Sequence, residues 1–429
     1  MNQFTVPSLA LFALAAGAVA QPAPLEARTA GLLVGDQDVD AIYRVRDLNG
    51  DRDALDVGER TLWLDASNAS GLPGPFGSVL TMFQSASGAV FIGEGDTDTV
   101  YRAFDLNADG DALDAGEVRV WISPANAAGY FLPTPSGIWE TEPGVVFVFN
   151  VGTVSTPGDA IYRTQDLNAD GDANDPGEMV LWFDVEGEVG DSSAFELVFI
   201  GNRAFWTDLR GGNTDAILWA EDLNSNGEIS GSEWGIFMDV NNAFGAPVGI
   251  GLKTDGTSLY VAHNLSSADQ SLYRLTDLNG NGVIDSADEA VQVWNESLAP
   301  TGVVLGSIFT LAIGPETSVA LGSSGSNEAD AVLLLQDLDS DRRFTSADES
   351  LLFVGSGSAT GEPAQRVRAL EFVSCPADLN LDGQVDFFDV QRYLAWFSAG
   401  DPRADLIADN NFDFFDVQAY LNMFSAACS

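Results

Sequence analysis

Asp105-Leu106-Asn107-Ala108-Asp109-Gly110-Asp111-Ala112-Leu113-Asp114-Ala115-Gly116-Glu117 is one of six versions of a single acidic segment. The others begin at Asp47, Asp166, Asp222, Asp277 and Asp337, so successive starts lie 58, 61, 56, 55 and 60 residues apart. Side-chain oxygens at alternate positions, closed by a carboxylate about a dozen residues on, are what a calcium ion asks of a loop. A period longer than a hairpin and shorter than a domain points to a propeller, solenoid or array.

Working outward from the acidic segment, each repeat reads as four short strands. In the second repeat these are Ser78–Met82, Gly88–Gly93, a strand from Asp98 to Arg102 that runs into the acidic loop, and Glu117–Ile122. Turn residues such as Ser85-Ala86-Ser87-Gly88 separate them. Four strands per repeat is the unit of a β-propeller blade. The ends are permuted. The first repeat starts at Gly31-Leu32-Leu33-Val34, which matches the second strand of the others, and an orphan strand at 366–373 follows the sixth. That strand can supply the missing inner position and leave no open edge. The expectation is a mainly β chain: a six-bladed β-propeller over 31–373, closed by 366–373. A linear array of hairpins is the alternative, and it leaves the permuted ends unexplained. Trp63, Trp121, Trp182, Phe237, Trp294 and Phe353 align in the fourth strands, and Tyr43, Tyr101, Tyr162, Leu218, Tyr273 and Leu333 in the third. A large apolar side chain in every repeat reads as packing between blades.

The candidate metal ligands are Asp47, Asn49, Asp51, Asp56 and Glu59; Asp105, Asn107, Asp109, Asp114 and Glu117; and Asp166, Asn168, Asp170, Asp175 and Glu178. The last three loops read one residue shorter: Asp222, Asn224, Asn226, Ser230 and Glu233; Asp277, Asn279, Asn281, Asp285 and Asp288; Asp337, Asp339, Asp341 and Asp348, with Thr345 at the ninth position. Strands flank these loops, so they are similar to the calcium hairpins of integrin-type propellers. Their expected role is structural, turning a repelling carboxylate cluster into a stable hairpin tip. Acidic turns without metal are the alternative. The fourth loop has the fewest charges and is expected to bind weakest.

The chain has 18 Lys+Arg against 64 Asp+Glu, a formal charge of -46 over 429 residues. That excludes nucleic acid as a natural partner, since phosphate binding needs basic surface. The apolar run Leu9–Val19 and the small-residue site Ala18-Val19-Ala20 mark residues 1–20 as an expected secretory signal, although no Lys or Arg precedes them. No later segment approaches the ~20 apolar residues of a membrane span. A secreted or cell-surface protein meets calcium and an oxidising milieu, so Cys375 and Cys428 are expected to form a disulfide bracketing the C-terminal segment.

That segment, 375–429, holds a tandem pair. Asp378, Asn380, Asp382, Asp386 and Asp389 space as a twelve-residue loop with Gly383 at position 6, followed by a helical pattern from Val390 to Phe397. The pattern returns 27 residues later with Asp405, Asp409, Asp413 and Asp416, then Val417 to Phe424. A calcium loop followed by one helix, in duplicate, resembles a dockerin. Phe387-Phe388-Asp389-Val390-Gln391 and Phe414-Phe415-Asp416-Val417-Gln418 look like the GC-type dockerins of planctomycete bacteria. The resemblance implies a small helical module that anchors its protein on a cohesin-like receptor. Ile407 and Asn410 depart from the pattern at positions 3 and 6 of the second loop, which implies weaker or absent binding there. A calcium-stapled cap without a partner is the alternative.

Positions that are equivalent between repeats yet chemically different are open to function. The ends of the second strands, Asp36, Glu94, Asn150, Asp208, His263 and Ser323, form such a ring, expected on the channel face opposite the acidic loops. Linkers carrying Phe76, Tyr130, Phe131, Phe195 and Phe244 reach that face, and acids beside aromatic platforms suit a sugar or a protein ligand. Glu94 and Asp208 are candidates for an acid–base pair, assisted by His263. No Ser-His-Asp order, zinc motif or phosphate loop is present. The leading expectation is a non-catalytic calcium-binding scaffold or binding protein. A polysaccharide-active hydrolase or lyase and a purely structural surface-layer component are the alternatives.

Overall fold

The computed structural model describes residues 31–72, 76–107, 109–152, 158–190, 193–209, 215–263, 270–303, 305–314, 318–324, 330–355, 366–375, 377–379, 385–406 and 411–426. The expected signal, Asn380, Asp382, Gly383, Ile407, Asp409, Asn410 and Cys428 lie outside them.

Among the described residues twenty-four strands form six antiparallel four-stranded sheets, one per acidic repeat. Five sheets use four consecutive strands. The sixth joins Val367–Val373 to Gly31–Asp36, so the end of the chain supplies the innermost strand of blade one. The innermost strands pack side by side in the cyclic order of blades one to six and back to one. This is a closed six-bladed propeller, and the closing strand is the one expected from the permuted ends. Close approach at the hub restricts side-chain size. A Cβ on Gly93, in the second strand of blade two, would lie 2.4 Å from the Pro135 carbonyl oxygen of blade three.

The fourth strands hold the ring together through a device repeated six times. Each carries a one-residue bulge, and the bulged residues are Trp63, Trp121, Trp182, Phe237, Val293 and Phe353. A bulge takes its residue out of the ladder and frees its carbonyl. In every case that carbonyl accepts a backbone N–H from the acidic loop of the following blade: Trp63 from Ala112, Trp121 from Ala173, Trp182 from Ile229, Phe237 from Ile284, Val293 from Phe344 and Phe353 from Ala54, at 2.7–2.9 Å. All six donors are buried apolar residues. One alignment is corrected here. Val293, not Trp294, is the counterpart of Trp63, because Trp294 pairs in register with Leu272. The third-strand series from Tyr43 to Leu333 is equivalent throughout.

The C-terminal segment contains two 13-residue helices, Phe387–Ala399 and Phe414–Ala426. They share a small core in which Tyr393 and Tyr420 stack at 4.2 Å with planes 4° apart. Both tyrosines are seventh in their helices. Their hydroxyls donate to Ala404 O and Ala377 O, also equivalent positions, so the two halves are related by a local two-fold. The segment is tied to blade two. Gln84 accepts from Ser374 N and Oγ at 2.7 and 2.9 Å and donates back to Ser374 O. Leu406 closes a small pocket with Arg102, Phe104 and Leu106 of that blade. Among the described residues no helix is long and apolar enough to cross a membrane.

Candidate metal loops and the two ends of the channel

Each acidic loop joins the third and fourth strands of its blade. In blade two Val79 pairs with Glu94 and Glu94 with Thr99, while Val90 pairs with Ala103 and Ala103 with Val118. The second-strand ends therefore share one face with the starts of the inner strands, and the acidic loops occupy the opposite face.

Within a loop the first aspartate accepts backbone N–H groups from later positions: Asp47 from Gly50 and Arg52, Asp105 from Gly110, Asp166 from Ala169 and Gly171, Asp222 from Gly227, Asp277 from Gly280 and Gly282, Asp337 from Arg342. The closing carboxylate is buried and spans the loop. Glu59 accepts from Leu48 N and Asp56 N, Glu117 from Leu106, Asn107 and Asp114, Glu178 from Leu167, Asn168 and Asp175, and Glu233 from Leu223, Asn224 and Ser230.

In blades five and six the same place is taken by Glu289 and Glu349, and this corrects the assignment of Asp288 and Asp348. Glu289 accepts from Leu278, Asn279 and Asp285, and Glu349 from Leu338 and Ser346, whereas Asp288 and Asp348 are exposed. Five loops are thus equally long and only the fourth is shorter. The longer glutamate wins because its carboxylate reaches back across the hairpin from a buried stem.

Carboxylate oxygens of Asp47, Asp51 and Glu59 lie within 4.8 Å of one another, as do those of Asp170, Asp172 and Glu178, and of Asp337, Asp339 and Asp341. A hard cation bound at about 2.4 Å from each oxygen needs ligands at this mutual spacing. The clusters are able to hold an ion, and their donors are all oxygen. In the first three loops the third-position amide bridges the acids: Asn49 Nδ2 donates to Asp51 and Asp56, Asn107 to Asp109 and Asp114, and Asn168 to Asp170 and Asp175. Burial raises the Glu117 carboxyl to about 7, with Asp105 adding to the rise and the backbone N–H donors opposing it. Of the remaining ligand candidates, Asp109, Asp114, Asn226, Asn279, Asn281 and Asp285 are exposed on the loop tips. In the tail, Asp389 and Asp416 are fully buried and accept from Asp386 N and Asp413 N; Asp378 is buried and Asp405 half-buried.

The ring at the second-strand ends is not solvated. Asp36, Glu94, Asn150, Asp208 and Ser323 are 0 % exposed and His263 is 7 % exposed. Three of the six share one task despite their different chemistry. Glu94 Oε1 accepts from Ser78 N, Asn150 Oδ1 from Thr134 N and Ser323 Oγ from Gly306 N, each at the start of an inner strand. Glu94 is used further by Asp96 N, Thr97 N and Thr97 Oγ1. Asp36 meets Arg60 at 3.2 Å. Glu94 and Asp208 belong to blades two and four, with blade three between them. Of the linker aromatics, Phe76 is buried against Tyr101 and Tyr130 packs on Tyr162.

A charged cluster that the sequence reading missed lies among the inner strands. Lys253 Nζ of blade five meets Glu196 of blade four at 3.1 Å, and Glu371 of blade one, whose Oε1 accepts from Gln84 N, feels both. Burial raises the Glu371 carboxyl to about 7 against the pull of Lys253. Glu196 sits at a bulge with φ 57°, and that backbone conformation is the signal a structure gives and a sequence does not.

No family model and no curated protein matches the chain. Solved structures do. A PQQ-bound aldose sugar dehydrogenase from Streptomyces coelicolor is 13% identical over 68% of this chain and 84% of its own, with a TM-score of 0.44. A gluconolactonase from Xanthomonas campestris is 15% identical over 76% and 88%, with a TM-score of 0.42. A luciferin-regenerating enzyme is 9% identical over 64% and 76%, with a TM-score of 0.40. Similarity at this level concerns the architecture alone.

Proposed function

We propose that this chain is an exported, calcium-stapled propeller displayed through its C-terminal module on a cohesin-like receptor, acting by binding and not by catalysis. The observation that carries the reading is the pair of aromatic dipeptides in the tail. Phe387, Phe388, Phe414 and Phe415 are 65, 61, 70 and 59 % exposed at the first turns of two helices related by the local two-fold. Large apolar side chains held open at duplicated positions mark an interaction surface. They remain exposed while Leu406 sits against blade two, so the module is ready for a partner as it stands.

Calcium fits the acidic loops by donor type and spacing, and an extracellular setting supplies it. There it would neutralise the carboxylates of each hairpin and stiffen the loop whose N–H groups clasp the next blade. A Cys375–Cys428 bond would secure the module. Binding is favoured over catalysis because the Glu94 carboxylate is occupied by four backbone and hydroxyl donors.

The test is surface-plasmon binding of the full chain to cohesin-like modules, in calcium and in chelator. The two-fold predicts that replacing either phenylalanine pair by alanine leaves binding, and that replacing both pairs abolishes it. Binding that survives loss of both pairs would remove the docking reading.

A further inference from the structure

The inner strands carry bulges of their own, near the channel end remote from the acidic loops. Ladder pairing skips Arg368 in blade one, Leu80 in blade two, Ser136 in blade three and Phe309 in blade six. A bulge at a rim re-aims its side chain. These positions are equivalent, chemically unlike one another, and do not share the capping task of the second-strand ends.

Arg368 stands out among them. Its guanidinium carbon lies 3.9 Å from the ring centroid of Phe309, the bulged residue of the adjoining blade, so the planar fork is held before any ligand arrives. Its Nε is buried without a hydrogen-bond partner, and no ion pair to it exists among the described residues. Its basic neighbour Arg366, whose like charge acts on it, pairs with Asp38. Blade one therefore offers a preorganised fork at the channel mouth, where Asp330 acts on it through space but closes no ion pair with it among the described residues.

We propose that Arg368, on its Phe309 platform, is the anchor of a binding site for a small monocarboxylate at the channel mouth. A carboxylate matches the fork with two parallel hydrogen bonds. A single charge is favoured because the field of a chain at -46 repels every further negative charge on a ligand. The site is independent of the tail and of its receptor.

Calorimetric titration of the full chain, in calcium and at low ionic strength, with D-glucuronate, D-glucose and inorganic phosphate tests it. Saturable glucuronate binding is expected, at least tenfold tighter than glucose or phosphate. Arg368→Lys, which keeps the charge and loses the fork, should weaken it about tenfold, and Arg368→Met, which keeps the apolar stem, should abolish it. Melting curves of both variants report folding. No glucuronate binding, tighter phosphate binding, or glucuronate binding unchanged in Arg368→Lys and Arg368→Met would each overturn the proposal. None of these results bears on receptor docking.

Discussion

The backbone N–H of Ala54 donates to the carbonyl of Phe353 at 2.9 Å, joining the first acidic loop to the last fourth strand. The bond is one of six, and it falls at the seam where the ring closes. It makes each acidic loop part of the junction between two blades, so an event at a loop tip is felt by the neighbouring blade. At this seam Arg52 reinforces it, donating to Gln336 Oε1 and to Asp348 O from the adjacent loop.

Proline at position 54 removes the donor and leaves the buried Phe353 carbonyl unsatisfied. A buried group without its partner costs about 1–3 kcal/mol, and any misfit of the fixed φ adds to that. Ala54→Pro should lower the urea midpoint of the full chain. Ala115→Pro in the second loop, one residue before the exposed Gly116 turn, serves as the comparison. An unchanged midpoint in Ala54→Pro would show that the clasp contributes nothing to ring stability.

The closing carboxylate of blade six contrasts with the acid beside it. Glu349 is buried and holds the N–H groups of Leu338 and Ser346, while Asp348 is exposed. Glu349→Gln keeps the shape but removes the charge, and charge-assisted bonds of this kind contribute about 1.5–3 kcal/mol. A clear fall in melting temperature is expected for Glu349→Gln and almost none for Asp348→Asn. The reverse order in differential scanning fluorimetry would restore Asp348 as the closing group.

The proposed calcium sites carry a prediction of their own. A ligand that binds only the folded state stabilises it by RT ln(1 + [L]/Kd), about 2.7 kcal/mol per site at one hundred times Kd. Excess chelator should therefore lower the melting temperature by many degrees, and returning calcium should restore it. The fourth loop, with Asn226 and Ser230 in place of acids, should be the first emptied as calcium falls, visible as early loss of amide protection around Ile229.

The Glu371 carboxyl sets a pH dependence with a definite sign. Its folded value, about 7, lies above the ordinary 4.5 because burial outweighs Lys253, with Glu196 adding to the rise. The folded state then binds the proton more tightly than the unfolded chain. Stability from this group is complete below about pH 4.5, declines as pH rises, and is gone above about pH 7. Glu371→Gln should be nearly neutral at pH 4.5 and relatively stabilised at pH 8, by up to about 3 kcal/mol. A difference that is the same at both pH values would show that the group titrates normally.

The blade count, the closing strand and the third-strand series were all legible, because a repeat exposes its own period and its own missing piece. What escaped was detail of one residue. Trp294 matches Trp63 in residue type, yet a bulge places Val293 there, and a bulge leaves no mark in composition. Asp288 stood beside Glu289 and Asp348 beside Glu349, and only burial distinguishes neighbouring acids; a constant spacing of 12 from Asp277 to Glu289 and from Asp337 to Glu349, as from Asp47 to Glu59, was the available signal. The ring from Asp36 to Ser323 looks free for function in the sequence because its members differ. Glu94, Asn150 and Ser323 differ since any oxygen can accept the same backbone N–H, so chemical variety there reflects tolerance. The central Glu196–Lys253–Glu371 cluster was invisible because its members come from three blades that only ring closure brings together.

The stacked tyrosines make the tail testable as a cooperative unit. Tyr393 and Tyr420 are each 1 % exposed and form the centre of a core that shares Cys375 with the propeller's own. Tyr420→Ala removes one ring from that core, and truncation of a buried aromatic costs about 3–5 kcal/mol. That is enough to unfold a module of this size, while the propeller keeps its clasps. Circular dichroism of the full-chain variant should lose the signal of the two helices at a lower temperature and leave the β transition in place. Tyr420→Phe, which removes only the bond to Ala377 O at 3.5 Å, should shift the helical transition slightly. If Tyr420→Ala instead moves both transitions together, the Gln84–Ser374 tie and the Leu406 seat couple the module to blade two more strongly than its own core holds it.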